Sequence, residues 1–258
     1  MSDAASGTAR PALKMILGSL MRADFTVLAK SSQSLVVSIA LPVIVLVITN
    51  TPRGQARFGG AAIAIALAIT YGVFSSSLLG YALTVAQDRE LGVFQRLRVT
   101  PAPGWAIMVS RLSVQVAANL IISIVVLIVG SIMHGLSLGV GQYAVVLALS
   151  VVAGAVFLSL GQALVGLIKS ASTVNAVGRV LYIALVLLGL LGMAGTLGST
   201  LKDFSLWSPV GAVMTVLSAG MNDLSSWNSQ DNFSLLSCMG YAVVFTIIGV
   251  RWFRWTAR

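Results

Sequence analysis

Between Arg111 and Lys169 the chain runs for 57 residues without a charged side chain. No other feature limits the fold as much. Shorter uncharged stretches separate most of the other charges: 22 residues between Lys30 and Arg53, 30 between Arg57 and Asp88, 22 between Arg179 and Lys202, and 19 between Asp231 and Arg251. A helix needs about 20 predominantly apolar residues to cross a bilayer, and each stretch supplies roughly that length. The longest supplies it twice. Its middle, "HGLSLGVGQ" at 134–142, is rich in glycine and reads as a tight turn. Only 9% of the 258 residues are charged and 57% are hydrophobic, whereas a typical soluble domain is roughly 25% charged. One water-soluble core cannot absorb that apolar surface, so lipid is the solvent and the chain is an all-α integral membrane protein.

The charges divide the chain into six predicted spans, at about 33–51, 59–86, 111–133, 142–168, 176–198 and 233–251. Pro42 lies inside the first and is expected to kink it. With the N-terminus inside, thirteen of the sixteen Lys and Arg fall on inner segments. These are Arg10, Lys14, Arg22 and Lys30, then Arg89, Arg96, Arg98 and Arg111, then Lys169 and Arg179, and last Arg251, Arg254 and Arg258. Arg53, Arg57 and Lys202 fall outside. The bias predicts that both termini are cytoplasmic. Arg179 is expected to snorkel from the inner end of the fifth span. The net charge of +9 is scattered between apolar runs, so it reads as orientation and headgroup contact, with no nucleic-acid partner. Residues 1–31 do not read as a cleavable signal peptide, because Arg22, Asp24 and Lys30 interrupt any hydrophobic region. The single cysteine, Cys238, excludes an intrachain disulfide and reads as a packing residue.

Three segments exceed what six spans and short loops require. In "PALKMILGSLMRADFTVLAKSS" (11–32), Leu13, Ile16, Leu17, Leu20, Val27 and Leu28 recur at helical spacing between polar residues. That pattern predicts an amphipathic interfacial helix on the cytoplasmic face. The outer segment 199–232 contains "LWSPVGAVMTVLSAGM" (206–221), apolar but too short to cross. Ser208 can cap a helix whose first residue is Pro209, which predicts a short outer re-entrant or interfacial helix. Trp207 and Trp227 would sit at headgroup level. The third segment is "QDRELGVFQRLRVTPAPGW" (87–105). Leu91, Phe94 and Leu97 fall at i, i+3 and i+6, while Arg89, Gln95, Arg96 and Arg98 lie on other faces. A short helix at 88–100 with an apolar stripe and basic flanks suits a lipid surface or a groove in a protein partner.

Several chemistries lack their residues. No predicted span carries an acidic residue near its middle, as an ion-coupled carrier usually requires. Gln115, Asn119, Gln162 and Asn175 do lie in or beside spans, where such groups more often bond between helices. In "GQALVGLIKS" (161–170), Gly161 and Gly166 have phosphate-loop spacing, but Lys169 comes two residues late and no strand precedes it. A serine hydrolase needs a general base, and the only histidine, His134, lies in the predicted outer turn. No catalytic or metal site is predicted. Gly189, Gly192, Gly195 and Gly198 recur at every third position and predict a close-packing seam, within the chain or between subunits.

The arrangement resembles the ABC-2 type permeases, six-span membrane subunits of ATP-driven exporters related to drug-resistance, lipid and polysaccharide export. The matching features are the amphipathic N-terminal helix, the charged loop between spans two and three, and the outer element between spans five and six. The loop match is the most specific: Asp88-Arg89-Glu90, Gly92, Val93-Phe94, Arg96-Leu97 and Thr100-Pro101. Ser208-Pro209 is similar to the start of the family's outer helix. The resemblance implies that 88–100 is a coupling helix docking into a separate ATPase subunit through Arg89, Glu90, Gly92, Phe94, Arg96, Leu97, Arg98 and Thr100. It implies a dimer, of identical or related permeases, in a bacterial plasma membrane. ATP and Mg would be held by the partner ATPase, with no cofactor on this chain. An apolar or amphipathic cargo, drug or lipid-like, would leave the cytoplasm. A departure from longer relatives is the small external loop. The residues alone leave a channel, scaffold or ion-coupled carrier as the alternative.

Overall fold

A computed structural model describes residues 13–30, 32–52, 54, 59–98, 104–194, 199–222 and 224–252. Every regular element among them is helical. Helices α1 (Leu13–Lys30) and α2 (Ser32–Thr49) come first. Helix α3 (Ala61–Ser75) runs through a π-helical segment, Ser76–Ala82, into α4 (Leu83–Glu90). A short α5 (Val93–Arg98) precedes α6 (Gly104–His134), α7 (Val140–Leu167) and α8 (Ala171–Ala194). Helices α9 (Ser199–Trp207), α10 (Pro209–Met221) and α11 (Ser229–Trp252) complete the chain.

Five helices among the described residues are long and apolar enough to cross a membrane: Ala61–Glu90, Ala106–His134, Val140–Leu167, Ala171–Gly192 and Ser229–Trp252. They correspond to the second to sixth predicted spans. The first predicted span, 33–51, is occupied by α2, where the stretch Ser38–Thr49 is apolar but shorter. Helices α6, α8 and α11 begin ahead of the predicted starts at 111, 176 and 233. Charges bracket the apolar part of a helix, and hydrogen bonding carries the helix on into the polar turns beyond it. The predicted turn at 134–142 is present. Gly135, at φ +64°, ends α6 in the left-handed conformation that glycine adopts without strain.

Helix α3 is the axis of the bundle. Its sequence, AAIAIALAITYGVFS, is apolar on every face, and every residue from Ala64 to Ser75 is buried. A helix apolar all round belongs inside, and α2, α6, α7 and α10 surround this one. Phe74 stacks at a tilt on Phe157 of α7 at 4.7 Å and on Tyr182 of α8 at 5.0 Å. Where α2 crosses, a Cβ at Gly72 would come within 2.8 Å of Pro42 Cγ and 3.3 Å of the Ser38 carbonyl oxygen. That carbonyl is the one Pro42, lacking an N–H, leaves without its helical bond. The π segment turns Ser76 and Ser77 toward α6. There Gln115 Nε2 donates to Ser76 Oγ at 2.6 Å, and Asn119 Nδ2 donates to Ser77 Oγ at 3.1 Å. Tyr81 donates to Gln162 Oε1 at 2.9 Å. Gln115, Asn119 and Gln162 therefore do bond between helices.

Ser208 caps α10 as its sequence predicts, accepting from Gly211 N at 3.1 Å, with Pro209 in the first turn. The pair α9–α10 dips into the bundle. Its Trp207–Ser208 turn lies level with the middle of α11, where Tyr241 donates to the Trp207 carbonyl at 2.5 Å. Helix α10 then climbs to the start of α7, where Gln142 Nε2 donates to the Met221 carbonyl at 3.1 Å. Helices α8 and α11 are peripheral: 22% and 17% of their apolar windows are buried, against 83% for Ala61–Glu90.

Candidate functional site

The central axis ends at Gly92. Leu91 N donates to the Gln87 carbonyl at 2.9 Å, and Gly92 N to that of Arg89 at 3.2 Å. Gly92 has φ +69°, the left-handed conformation that ends helices and favours glycine. Arg96 N then bonds back to the Gly92 carbonyl at 3.1 Å, starting α5 in a new direction. Leu91 is 71% exposed, and Glu90, Gln95 and Arg96 are exposed beside it. Phe94, Leu97 and Arg98 lie in α5, with side chains outside the described set; Thr100 lies outside the described residues altogether.

Arg89 points the other way. It is 2% exposed. Its Nη1 donates to the Val165 carbonyl at 2.8 Å, and its Nη2 to those of Ile168 and Lys169 at 2.6 and 2.7 Å. These carbonyls close α7, whose last turn has no helical donors of its own. The next residue, Glu90, accepts from Ala171 N, the first residue of α8, at 2.6 Å. A cation thus sits at a helix C-terminus and an anion at a helix N-terminus, each the favourable sign for that dipole. The Arg89–Glu90 dipeptide ties the axis to the α7–α8 turn, while α5 extends from its far side. Sequence reasoning put Arg89 on the outer surface of a docking helix; the structure puts its guanidinium inside.

A second charged cluster holds α1. Ser110 Oγ donates to Asp24 Oδ2 at 2.6 Å. Arg111 Nη1 pairs with Asp88 Oδ2 at 2.5 Å, and its Nε lies 3.9 Å from Asp24 Oδ1. Burial pushes the Asp24 carboxyl above the usual carboxylate range, opposed by the Ser110 hydrogen bond and Arg111, and aided by Asp88. Sequence reasoning read Asp24 only as a polar interruption.

The predicted glycine seam is intramolecular where it is described. A Cβ at Gly189 would meet Tyr71 Oη at 2.9 Å and Val210 at 3.1 Å, and one at Gly192 would collide with Ser205. Gly195 and Gly198 lie outside the described residues. Trp207 is 61% exposed beside a cavity of about 330 Å³ shared by Asp203, Gln230, Phe233 and Ser237. Trp227 donates to Asn232 Oδ1 at 2.8 Å. Among the described residues, no group of His, Cys, Asp and Glu could hold a metal ion.

The arrangement is a helical bundle whose axis leaves the apolar region through an ionic clamp with Arg89 buried and is followed by the short α5, whose Gln95 and Arg96 are exposed. The sequence model of one protein family, the ABC-2 type transporter, matches residues 16–222. The chain belongs to the ABC-2 type transporter family. Among curated proteins none matches it. The matched region opens in α1 and closes just after α10, so it includes the clamp, α5 and the α9–α10 pair. As an ABC-2 member the chain is a multi-pass membrane permease of an ABC transporter, from a family that normally works with ABC ATPase subunits.

Proposed function

We propose that this permease is the membrane-spanning subunit of an ATP-driven exporter of a hydrophobic or amphipathic substrate, and that α5 is its coupling helix. Two copies, or one copy and a related permease, would pair in a bacterial plasma membrane with both termini inside. Helix α2 would serve as a sixth span, α1 would lie along the cytoplasmic face, and α9–α10 would be re-entrant from outside. ATP and Mg would sit on the partner ATPase. The 71% exposure of Leu91 beside α5, one residue from the Glu90–Ala171 bond, carries this reading. It pairs an unsatisfied apolar side chain with a firm attachment to two spans. An apolar anchor in a partner's groove is where binding energy concentrates, and flanking charges such as Arg96 steer the encounter. ATP-driven closure of the ATPases would move α5. The Arg89–Glu90 clamp would carry that displacement into α7 and α8.

The test is to replace Leu91, Phe94 and Leu97 singly with Asp and measure co-purification with the ATPase and substrate-stimulated ATP hydrolysis. Loss of both in at least one variant is expected. Retention of complex and transport in all three would overturn the docking assignment.

A further inference from the structure

Helix α8 carries a cation on its bare face. Arg179 lies eight residues inside the helix that starts at Ala171, about 12 Å along its axis. Its neighbour Gly178 faces Leu78, Leu79 and Leu164 of the interior. Leu79 in turn precedes Asp88 of the charged cluster by nine residues, about 13 Å of helix. Both measures place Arg179 about 12–13 Å from the charged end of the bundle, within the helix and beyond its first two turns. Arg179 is exposed and makes no hydrogen bond or ion pair among the described residues. On the same face, Ser172 and Asn175 precede it at helical spacing, and exposed Ile183 and Leu187 follow it. The face is therefore polar from the charged end up to the cation, and apolar beyond.

A guanidinium on an otherwise bare helix face is stabilised there by an oxyanion partner. This chain has seven acidic residues: Asp3, Asp24, Asp88, Glu90, Asp203, Asp223 and Asp231. Asp24, Asp88 and Glu90 belong to the charged end, and Asp203 and Asp231 to the end that carries α9 and the start of α11. None of the seven lies in the α8 sequence, and none of these five described acids lies beside its midpoint. A second copy related by an axis along the membrane normal brings these five described acids at the same depths, so none of them meets Arg179 there.

We propose that this face of α8 binds an anionic amphiphile in transit, with Arg179 holding its phosphate or carboxylate head and Ile183 and Leu187 its chain. The assignment rests on the permease reading above and gives that permease a substrate class. A planar guanidinium suits such a head, because it offers paired donors to two oxygens.

The experiment uses the full chain, co-purified with its ATPase in phosphatidylcholine nanodiscs. Binding of dodecyl phosphate and of dodecyltrimethylammonium is measured by calorimetry, and ATP hydrolysis is followed alongside. Arg179→Gln is expected to weaken dodecyl phosphate binding about tenfold, ~1.4 kcal/mol. Arg179→Lys should fall between, and the cationic amphiphile should bind all three alike. Dodecyl phosphate should stimulate hydrolysis in the wild type and not in Arg179→Gln. Equal affinity of wild type and Arg179→Gln for dodecyl phosphate overturns the proposal, as does an equal loss for the cation. Discs containing phosphatidylglycerol separate cargo from bulk lipid. Binding that this lipid abolishes, with no stimulation of hydrolysis, would mark Arg179 as a lipid anchor and sink the assignment. Failure of the permease reading shows separately, as absence of ATPase from wild-type and variant preparations alike, and the binding comparison then stands on the chain alone.

Discussion

Arg89 and Glu90 are adjacent, opposite in charge, and each meets the helix end that suits it. Arg89→Ala would leave three carbonyls at the close of α7 without their charged donor and is expected to destabilise the fold by about 2–4 kcal/mol. Thermal unfolding in detergent measures this, and Arg89→Lys should recover part of the loss. No reading of side-chain spacing shows this clamp. Arg89 falls off the apolar stripe of Leu91, Phe94 and Leu97, so it reads as a surface charge. Its true partners are backbone oxygens up to 80 positions away, and backbone groups have no sequence signature. Gly92 shows the reverse case. A glycine between a charged cluster and a new apolar pair signals a turn, and its φ of +69° is the physical content of that signal.

Among elements, α10 was the most legible, because a Ser-Pro start and an apolar run describe a capped helix without tertiary information. Helix α9 was not legible: "STLKDFSLW" has mixed polarity, and its helix is held by contacts with α8, including Ser205 Oγ donating to the Leu188 carbonyl at 3.1 Å. Helix α1 lies between these cases. Its amphipathic pattern is visible, but its attachment through Asp24 is not. That attachment titrates. Burial raises the Asp24 pKa, so the folded chain holds this proton more tightly than the unfolded chain does. The stabilisation tied to the proton is complete below the ordinary carboxylate range and fades as pH rises through the raised value. Protease cleavage within α1 should therefore speed up across that interval in the wild type. Asp24→Asn keeps an acceptor for Ser110 and should show a flat profile. Equal slopes for the two proteins would refute the assignment.

For the whole molecule, five of the six predicted spans were legible, because charge is so costly in lipid that its positions mark where a long apolar helix begins and ends. Depth within the bundle was less so, since α3 and α7 are similarly apolar and only packing makes α3 the axis. The π segment was invisible, because no residue type encodes a widened turn. Its removal is informative. Deleting Gly80 removes the extra residue that the widened turn accommodates, so the helix after it is expected to keep nearly its present facing as the turn returns to α geometry. Arg89 would still reach the α7 carbonyls, whereas Ser76 and Ser77 would lose their setting against Gln115 and Asn119. Thermal stability should fall, and the loss should add to that of Arg89→Ala, because separate interactions are removed.

The widened turn at Ser76–Ala82 thus acts as a phase adjuster in the central shaft. Above it, the helix is keyed to α2 and α10; below it, the helix is keyed to the α7–α8 turn. An uninterrupted α-helix would have to satisfy both sets of neighbours with one angular setting. Splitting the shaft lets each half take its own, so the clamp can be fitted to its carbonyls without disturbing the fit of the buried half.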